Sequence, residues 1–223
     1  MRVLLLNCDL DRSRETNGAA LLRCFLKGRS VKIDVFDVYK NEFPKAGELA
    51  NYGVAVITGS RASVYEKKRW IGKLVKLVRE MDRQGIRTLG VCFGYQIVAK
   101  AFGGSVVKGD QYEEGFRKVS LTGRGRKDQL FAGFPNSFFV YQSHGDYVRR
   151  LPKGATLLLS NGMGAQAYRV REFACVQFHP EIFPGVAIKM HRRDGKSVGS
   201  VTGAVAKGYS LPAKVISNFA KAS

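Results

Sequence analysis

Thr88-Leu89-Gly90-Val91-Cys92-Phe93-Gly94-Tyr95-Gln96 decides how the rest of the chain is read. Ile86 to Val91 is an apolar run suited to a buried strand, and Tyr95 to Phe102 is suited to a helix. Between them sits G-x-C-x-G, the cysteine form of the nucleophile elbow. In such an elbow a strand ends, the chain turns sharply and a helix starts at once. The turn is strained at the nucleophile, so the residues two before and two after must be small. Gly90 and Gly94 meet that demand. Cys92 is then lifted above the sheet edge at a helix N-terminus, where the partial positive charge favours thiolate. The Phe93 N–H points toward a reacting carbonyl as half of an oxyanion hole. A glycine-rich turn around an inert cysteine would read the same locally, so the elbow needs a base elsewhere.

Working outward, the first half of the chain alternates strand and helix. Val3 to Leu6, Val31 to Phe36 and Val54 to Thr58 read as strands, the first a continuous apolar run of the kind buried on both faces. Ala19 to Leu26 and Lys67 to Met81 have helical spacing, the second with Trp70, Ile71, Leu74, Val75, Leu77 and Val78 on its apolar face. This order predicts a parallel sheet flanked by helices. After residue 105 the pattern changes to short strands with turns: 106–107, 116–121, 138–141, 156–160, 165–168 and 173–177. They predict an antiparallel extension. The tail from Val186 to Ser223 is basic, and Leu211 to Ala220 reads as a terminal helix with Pro212 in its first turn.

A chain of 223 residues with 45% hydrophobic and 25% charged residues suits one α/β domain, here residues 1–223 with a core of 1–185 and the tail 186–223. No apolar run is long enough to span a bilayer, and the start lacks a signal-peptide pattern. A cytoplasmic protein is expected, with no membrane contact. Cys8, Cys24, Cys92 and Cys175 form no CxxC pair, which argues against a zinc site or redox motif. The three besides Cys92 are expected to be small buried hydrophobes. Lys and Arg total 37 against 18 Asp and Glu, a net charge of +19. The basic residues are spread along the chain without an aromatic-basic RNA-binding signature, so a solvated surface is preferred to nucleic-acid binding.

A thiolate nucleophile needs a proton carrier. Of the three histidines, His179 lies in Cys175-Val-Gln-Phe-His-Pro-Glu181, at the end of a strand that would deliver it to the same sheet edge. Glu181, two residues on, can fold back on the imidazole, fix one tautomer and stabilise the imidazolium. His191, in the basic tail, is expected to face solvent, and His144 to be a loop histidine with local hydrogen bonds.

Gly-Val-Cys-Phe-Gly-Tyr-Gln together with Phe-His-Pro-Glu resembles the class I (triad) glutamine amidotransferases, and the resemblance covers nearly the whole chain. It implies a flavodoxin-like three-layer sandwich with a mixed, mostly parallel central sheet and an antiparallel extension. It implies a Cys92–His179–Glu181 triad, with Gly59 of Ile57-Thr-Gly-Ser60 as the second oxyanion donor beside Phe93. Tyr141-Gln-Ser-His-Gly-Asp-Tyr-Val148 is similar to the Ser-His-Gly-Asp segment of GMP synthetase glutaminase domains. Ser143, His144, Asp146 and Gln96 would then contact the amino-acid end of glutamine. Thr58 to Tyr65 and the ending Leu211 to Phe219 look like those of stand-alone, GMP synthase-like members.

The resemblance thus implies hydrolysis of the glutamine amide through a γ-glutamyl thioester, with no cofactor or metal, and ammonia passed to a synthetase such as GMP synthase. Arg61 stands where many relatives have a second glycine or a proline. No ATP pyrophosphatase or P-loop signature is present, so a productive use of ammonia would need a second protein. A γ-glutamyl peptidase or hydrolase with the same triad is the first alternative. A non-catalytic binding module and a nucleic-acid-binding protein are the others.

Overall fold

The computed structural model describes residues 2–9, 17–26, 31–45, 47–199 and 212–221. One nine-stranded sheet runs through it in the order β2-β1-β3-β4-β9-β8-β7-β5-β6. Strands β1 (Arg2–Asn7), β2 (Lys32–Asp37), β3 (Val54–Ile57), β4 (Arg87–Val91) and β9 (Phe173–Val176) pair in parallel. Strands β5 (Ser105–Leu121), β6 (Ser137–Arg150), β7 (Thr156–Asn161) and β8 (Gly164–Val170) continue the sheet antiparallel. The predicted mixed sheet is observed, with one correction: the segment 173–177, expected in the antiparallel extension, supplies β9, which pairs parallel to the elbow strand β4 and antiparallel to β8, so the change of direction falls on its far side.

Helices cover both faces. Successive residues of β1 point to opposite sides, so Leu4 and Leu6 join one core with Trp70, Ile71, Leu74, Val78 and Met81 of α2 (Arg69–Arg83). Val3 and Leu5 join the other with Ala19, Leu22 and Leu26 of α1 (Gly18–Leu26) and Val215, Ile216 and Phe219 of α5 (Ala213–Lys221). The α2 face alone buries five large side chains, about 10 kcal/mol of transfer free energy as an upper estimate. Helix α5 is fixed at its far end by Arg87, whose Nη2 donates to the Phe219 carbonyl at 2.9 Å while the guanidinium lies 5.2 Å from the Phe219 ring. Leu211 and residues 200–210 of the basic tail lie outside the described residues.

Several expectations are corrected. Cys24 is exposed, because the buried side of α1 is Ala19, Leu22 and Leu26 and residue 24 falls on the opposite side. The strands predicted at 106–107, 116–121 and 138–141 are fragments of a long hairpin, β5 and β6, with a register shift between Lys108 and Glu113. His144 therefore lies within strand β6 rather than in a loop, and is buried. A helix not anticipated, α4 (Pro184–Arg193), follows the Phe-His-Pro-Glu segment with proline at its start. It buries Ala187 and His191 one turn apart, so His191 faces inward and not solvent. His191 Nδ1 donates to the Ser197 carbonyl at 2.8 Å, and Nε2 is 3.1 Å from the Tyr141 hydroxyl.

Candidate active site

Strand β4 ends at Val91 and helix α3 (Phe93–Ala101) begins two residues later. Cys92 bridges them with φ 52° and ψ −101°, a left-handed conformation that a residue with a Cβ adopts only when its surroundings enforce it. The enforcement is visible on both sides. The Cys92 N–H donates to the Val176 carbonyl of β9 at 2.8 Å. A Cβ on Gly90 would sit 2.8 Å from the Gly94 carbonyl carbon and oxygen. A Cβ on Gly94 would press into the Ile57 carbonyl oxygen. Only glycine permits this approach of helix to strand. The Phe93 N–H, first in its helix, has no intrahelical acceptor.

His179 follows β9, the parallel neighbour of β4, in which Cys175 and Val176 pair with Gly90 and Val91. Its N–H donates to the Tyr141 carbonyl at 2.9 Å. Ring Nδ1 lies 2.9 Å from Glu181 Oε1. A carboxylate oxygen accepts, so Nδ1 carries the hydrogen and Nε2 is left for the Cys92 sulfur, with which the ring hydrogen-bonds. Burial works against the imidazolium, but the Cys92 sulfur and the Glu181 carboxylate outweigh it and hold His179 well above the ordinary histidine range. The Glu181 side chain is 2% exposed. It lies beside Gly18 at the start of α1, where the helix dipole favours a negative charge.

Gly59, just past β3, faces this pair. A Cβ there would be 2.9 Å from His179 Cε1 and 3.5 Å from Cys92 Cβ. The backbone of residue 59 thus flanks the sulfur and the imidazole, across the elbow from Phe93. Sulfur, imidazole and carboxylate in this order form a thiol acyl-transfer arrangement: the base can take the thiol proton and return it to a leaving group.

The site opens into a cavity of about 830 Å³. Gln96, Ser143, His144 and Asp146 all line it, so the four residues expected to bind substrate are brought to one place. Each also has a protein partner. The Gln96 amide nitrogen is 3.1 Å from the Asp146 carbonyl and 3.3 Å from Gln177 Oε1. The Ser143 hydroxyl is 3.0 Å from that of Tyr112. The Asp146 carboxylate accepts from the Tyr65 hydroxyl at 2.8 Å. His144 donates from Nδ1 to the Asp146 carbonyl at 3.1 Å and sets Nε2 3.2 Å from Glu113 Oε2 without hydrogen-bond alignment. Arg61 stands on the rim, 68% exposed and 3.7 Å from Asp194.

Sequence reasoning missed Gln177, Glu113, Tyr65 and Tyr112. Glu113 is buried and accepts from Asn161 at 2.6 Å and Gln166 at 3.1 Å. No common signal marks the four: Gln177 follows β9, Tyr65 lies outside any strand, and Tyr65 and Tyr112 are exposed. Among the described residues no three His, Cys, Asp or Glu side chains converge as a metal site. None of the described helices is long and apolar enough to cross a membrane.

Fold and site together define a cysteine–histidine–carboxylate protein built on a mixed α/β sheet. Residues 15–194 match the family described as glutamine amidotransferase class-I, and the chain belongs to that family. Gamma-glutamyl peptidase 4 of Arabidopsis thaliana is 31% identical over 66% of this chain, and the match spans 61% of that relative. A glutamine-hydrolysing GMP synthase of Wolinella succinogenes is 36% identical over 57% of this chain and 24% of that relative. The chain therefore matches less than two thirds of the length of either. A crystal structure of a glutamine amidotransferase from Thermotoga maritima superposes with a TM-score of 0.82 at 22% identity, covering 99% of this chain and 97% of the other. That likeness is one of fold.

Proposed function

We propose that the protein hydrolyses the side-chain amide of glutamine, with Cys92, His179 and Glu181 as its catalytic residues. The observation that carries this reading is the strained Cys92 elbow beside a histidine whose Nδ1 is committed to Glu181. His179 Nε2 takes the Cys92 proton, and the sulfur attacks the amide carbon. The oxyanion is received by the N–H groups of Gly59 and Phe93, each worth about 3 kcal/mol in comparable acyl-transfer sites. His179 returns the proton to the nitrogen, the C–N bond breaks, and ammonia leaves a γ-glutamyl thioester. Water gives its proton to His179 and attacks the thioester. The C–S bond breaks, and glutamate and the thiol are restored. Glu181 holds the imidazole throughout.

Under this reading Ser143, His144, Asp146 and Gln96 shape the end of the pocket that takes the amino acid. The ammonia is passed to a synthetase subunit, for which the GMP synthase relative is a precedent. A cytoplasmic location belongs to the same reading, and the four unpaired cysteines suit a reducing compartment.

A second reading is favoured by cavity size. A volume of about 830 Å³ exceeds what one glutamine fills, and Tyr65 and Tyr112, 45% and 56% exposed, stand at its rim. A γ-glutamyl peptide would use the same triad and place its leaving amine there, and an Arabidopsis relative bears the name of such a peptidase.

Incubation with glutamine and with γ-glutamyl dipeptides, following glutamate and ammonia beside a Cys92→Ala control, tests both. Release of ammonia from glutamine that is lost in the variant supports the first reading. Cleavage of the dipeptides alone supports the second. No turnover, with Cys92 inert to an electrophilic glutamine analogue, refutes both.

A further inference from the structure

The buried polar groups nearest the nucleophile form a chain with one direction. Gln177 is 1% exposed, two residues before His179, and its Nε2 lies 3.7 Å from Cys92 Sγ. Its Oε1 lies 3.3 Å from Gln96 Nε2. The Gln96 nitrogen also lies 3.1 Å from the Asp146 carbonyl oxygen. That same oxygen accepts from His144 Nδ1 at 3.1 Å, while His144 Nε2 faces Glu113.

An amide side chain could in principle present either its oxygen or its nitrogen to the sulfur. Here the choice is made at the far end of the chain. A backbone carbonyl only accepts, so Gln96 must turn its NH2 toward Asp146. The second hydrogen of that NH2 then meets Gln177, which must offer its oxygen. The Gln177 NH2 is thereby aimed at Cys92. Reversing it would set two donors against each other and leave an oxygen facing a sulfur that becomes negative.

We propose that Gln177 is the hydrogen-bond donor that holds the Cys92 sulfur, in an orientation dictated through Gln96 by the Asp146 carbonyl. The sulfur is then held by two groups, His179 Nε2 and the Gln177 amide. When the thiol proton passes to His179, the charge left on sulfur keeps a donor. A charge-assisted hydrogen bond of this kind is stronger than one to a neutral thiol. The role also makes Gln96, whose two amide hydrogens are both engaged within the protein, a positioning residue for Gln177 in addition to its place in the pocket wall. The kinetic consequences rest on the amide-hydrolase reading, whereas the state of the sulfur does not.

Two measurements on the full chain separate these. Iodoacetamide alkylation is followed as a function of pH, reading the Cys92 peptide by mass spectrometry because Cys24 is exposed and reacts with the reagent too. Steady-state kcat and KM for glutamine are measured alongside. In Gln177→Met, which keeps the bulk and loses the donor, half-maximal alkylation is expected about one pH unit higher, and kcat about tenfold lower with KM little changed. Gln177→Glu, which sets a carboxylate against the sulfur, is expected to shift the profile further. Gln96→Met, which leaves the Gln177 amide free to turn, is expected to shift it in the same direction by less.

A wild-type alkylation profile in Gln177→Met overturns the proposal. If that variant does not fold, a wild-type profile in both Gln177→Glu and Gln96→Met overturns it. A loss of thermal stability without any change in the profile means a structural role only, and overturns it as well. If the wild-type protein does not hydrolyse glutamine, the hydrolase reading fails and the alkylation profile alone decides the role of Gln177.

Discussion

Replacing Gly94 with alanine sets local propensity against tertiary contact, and the sign of the result tells which wins. Inside a helix alanine is favoured over glycine by about 0.5–1 kcal/mol. The added Cβ, however, presses into the Ile57 carbonyl oxygen and lies 3.0 Å from Ile57 C and 3.1 Å from Ile57 Cβ. Nonbonded carbons rest at about 3.5 Å or more. The obstructing atoms are backbone of β3, which pairs with Leu6 on one side and Gly90 on the other, so no rotamer change relieves them. Overpacking of this kind costs about 1–3 kcal/mol, and a rigid obstacle belongs at the upper end. Less the propensity gain, the net loss is about 2 kcal/mol, or roughly 4–8 °C in Tm for a chain of this size. Relief requires α3 to back away from β3. That separates Phe93, which starts α3, from Gly59, which follows β3. A shift on the order of 1 Å at reacting groups lowers hydrolysis about 100-fold. Thermal unfolding followed by circular dichroism, with glutamine hydrolysis on the same samples, checks both. A Tm at or above wild type with hydrolysis retained would refute the claim that backbone contact holds the elbow.

Gly59→Ala should separate the two effects, because its Cβ meets the His179 ring, which can swing, rather than backbone; kinetics beside a thermal melt should record little change in Tm and a loss of hydrolysis of about 100-fold. Glu181→Gln removes one of the two groups that hold His179 high, so NMR should find the imidazole titrating at lower pH than in wild type, with kcat reduced by about 10³–10⁴ as in other triads whose carboxylate is neutralised. Burial tends to raise the Asp128 carboxyl, but two hydrogen bonds from Arg169 hold it below the usual carboxylate range. A depressed folded-state value adds stability above the unfolded value of about 3.9, and this is lost as pH falls through the folded value. Urea unfolding should therefore find Asp128→Asn about 1 kcal/mol less stable at pH 7, a modest figure because Arg169 is partly exposed, with the gap to wild type closing in acid. Phe219→Ala empties a buried site on α5 and should cost about 3–5 kcal/mol, read as a fall in Tm of roughly 10 °C.

What could be read in the sequence was whatever depends on contacts close along the chain. The elbow was legible because a strained turn demands small residues at fixed offsets, and Gly90 and Gly94 supply them. His179 and Glu181 were legible because two residues suffice to fold a carboxylate onto an imidazole. The hairpin β5–β6 was seen only in fragments. Its middle, Lys108-Gly-Asp-Gln-Tyr-Glu-Glu, is polar and bulged, and shows no strand alternation. Helix α4 went unread because most of its span falls in the basic tail from Val186, although Pro184 suits a first helical turn. That error carried His191 with it. Its basic neighbours suggested a solvated tail, whereas its four-residue spacing from Ala187 marks a buried face. Gln177 had no local motif, since its partners come from α3 and the elbow, 81 and 85 positions away.

The adjacency of β4 and β9 has a consequence for how the protein is made. These two strands lie side by side, yet the whole antiparallel half of the sheet is inserted between them in the chain. A chain emerging from the ribosome exposes the elbow cysteine long before β9 has been synthesised. Until then the thiol has no imidazole beside it and no Val176 carbonyl to hold its backbone. Pairing of such distant segments is slow, because loop closure precedes any reward from contact. Assembly of cysteine, imidazole and carboxylate is therefore coupled to completion of the sheet.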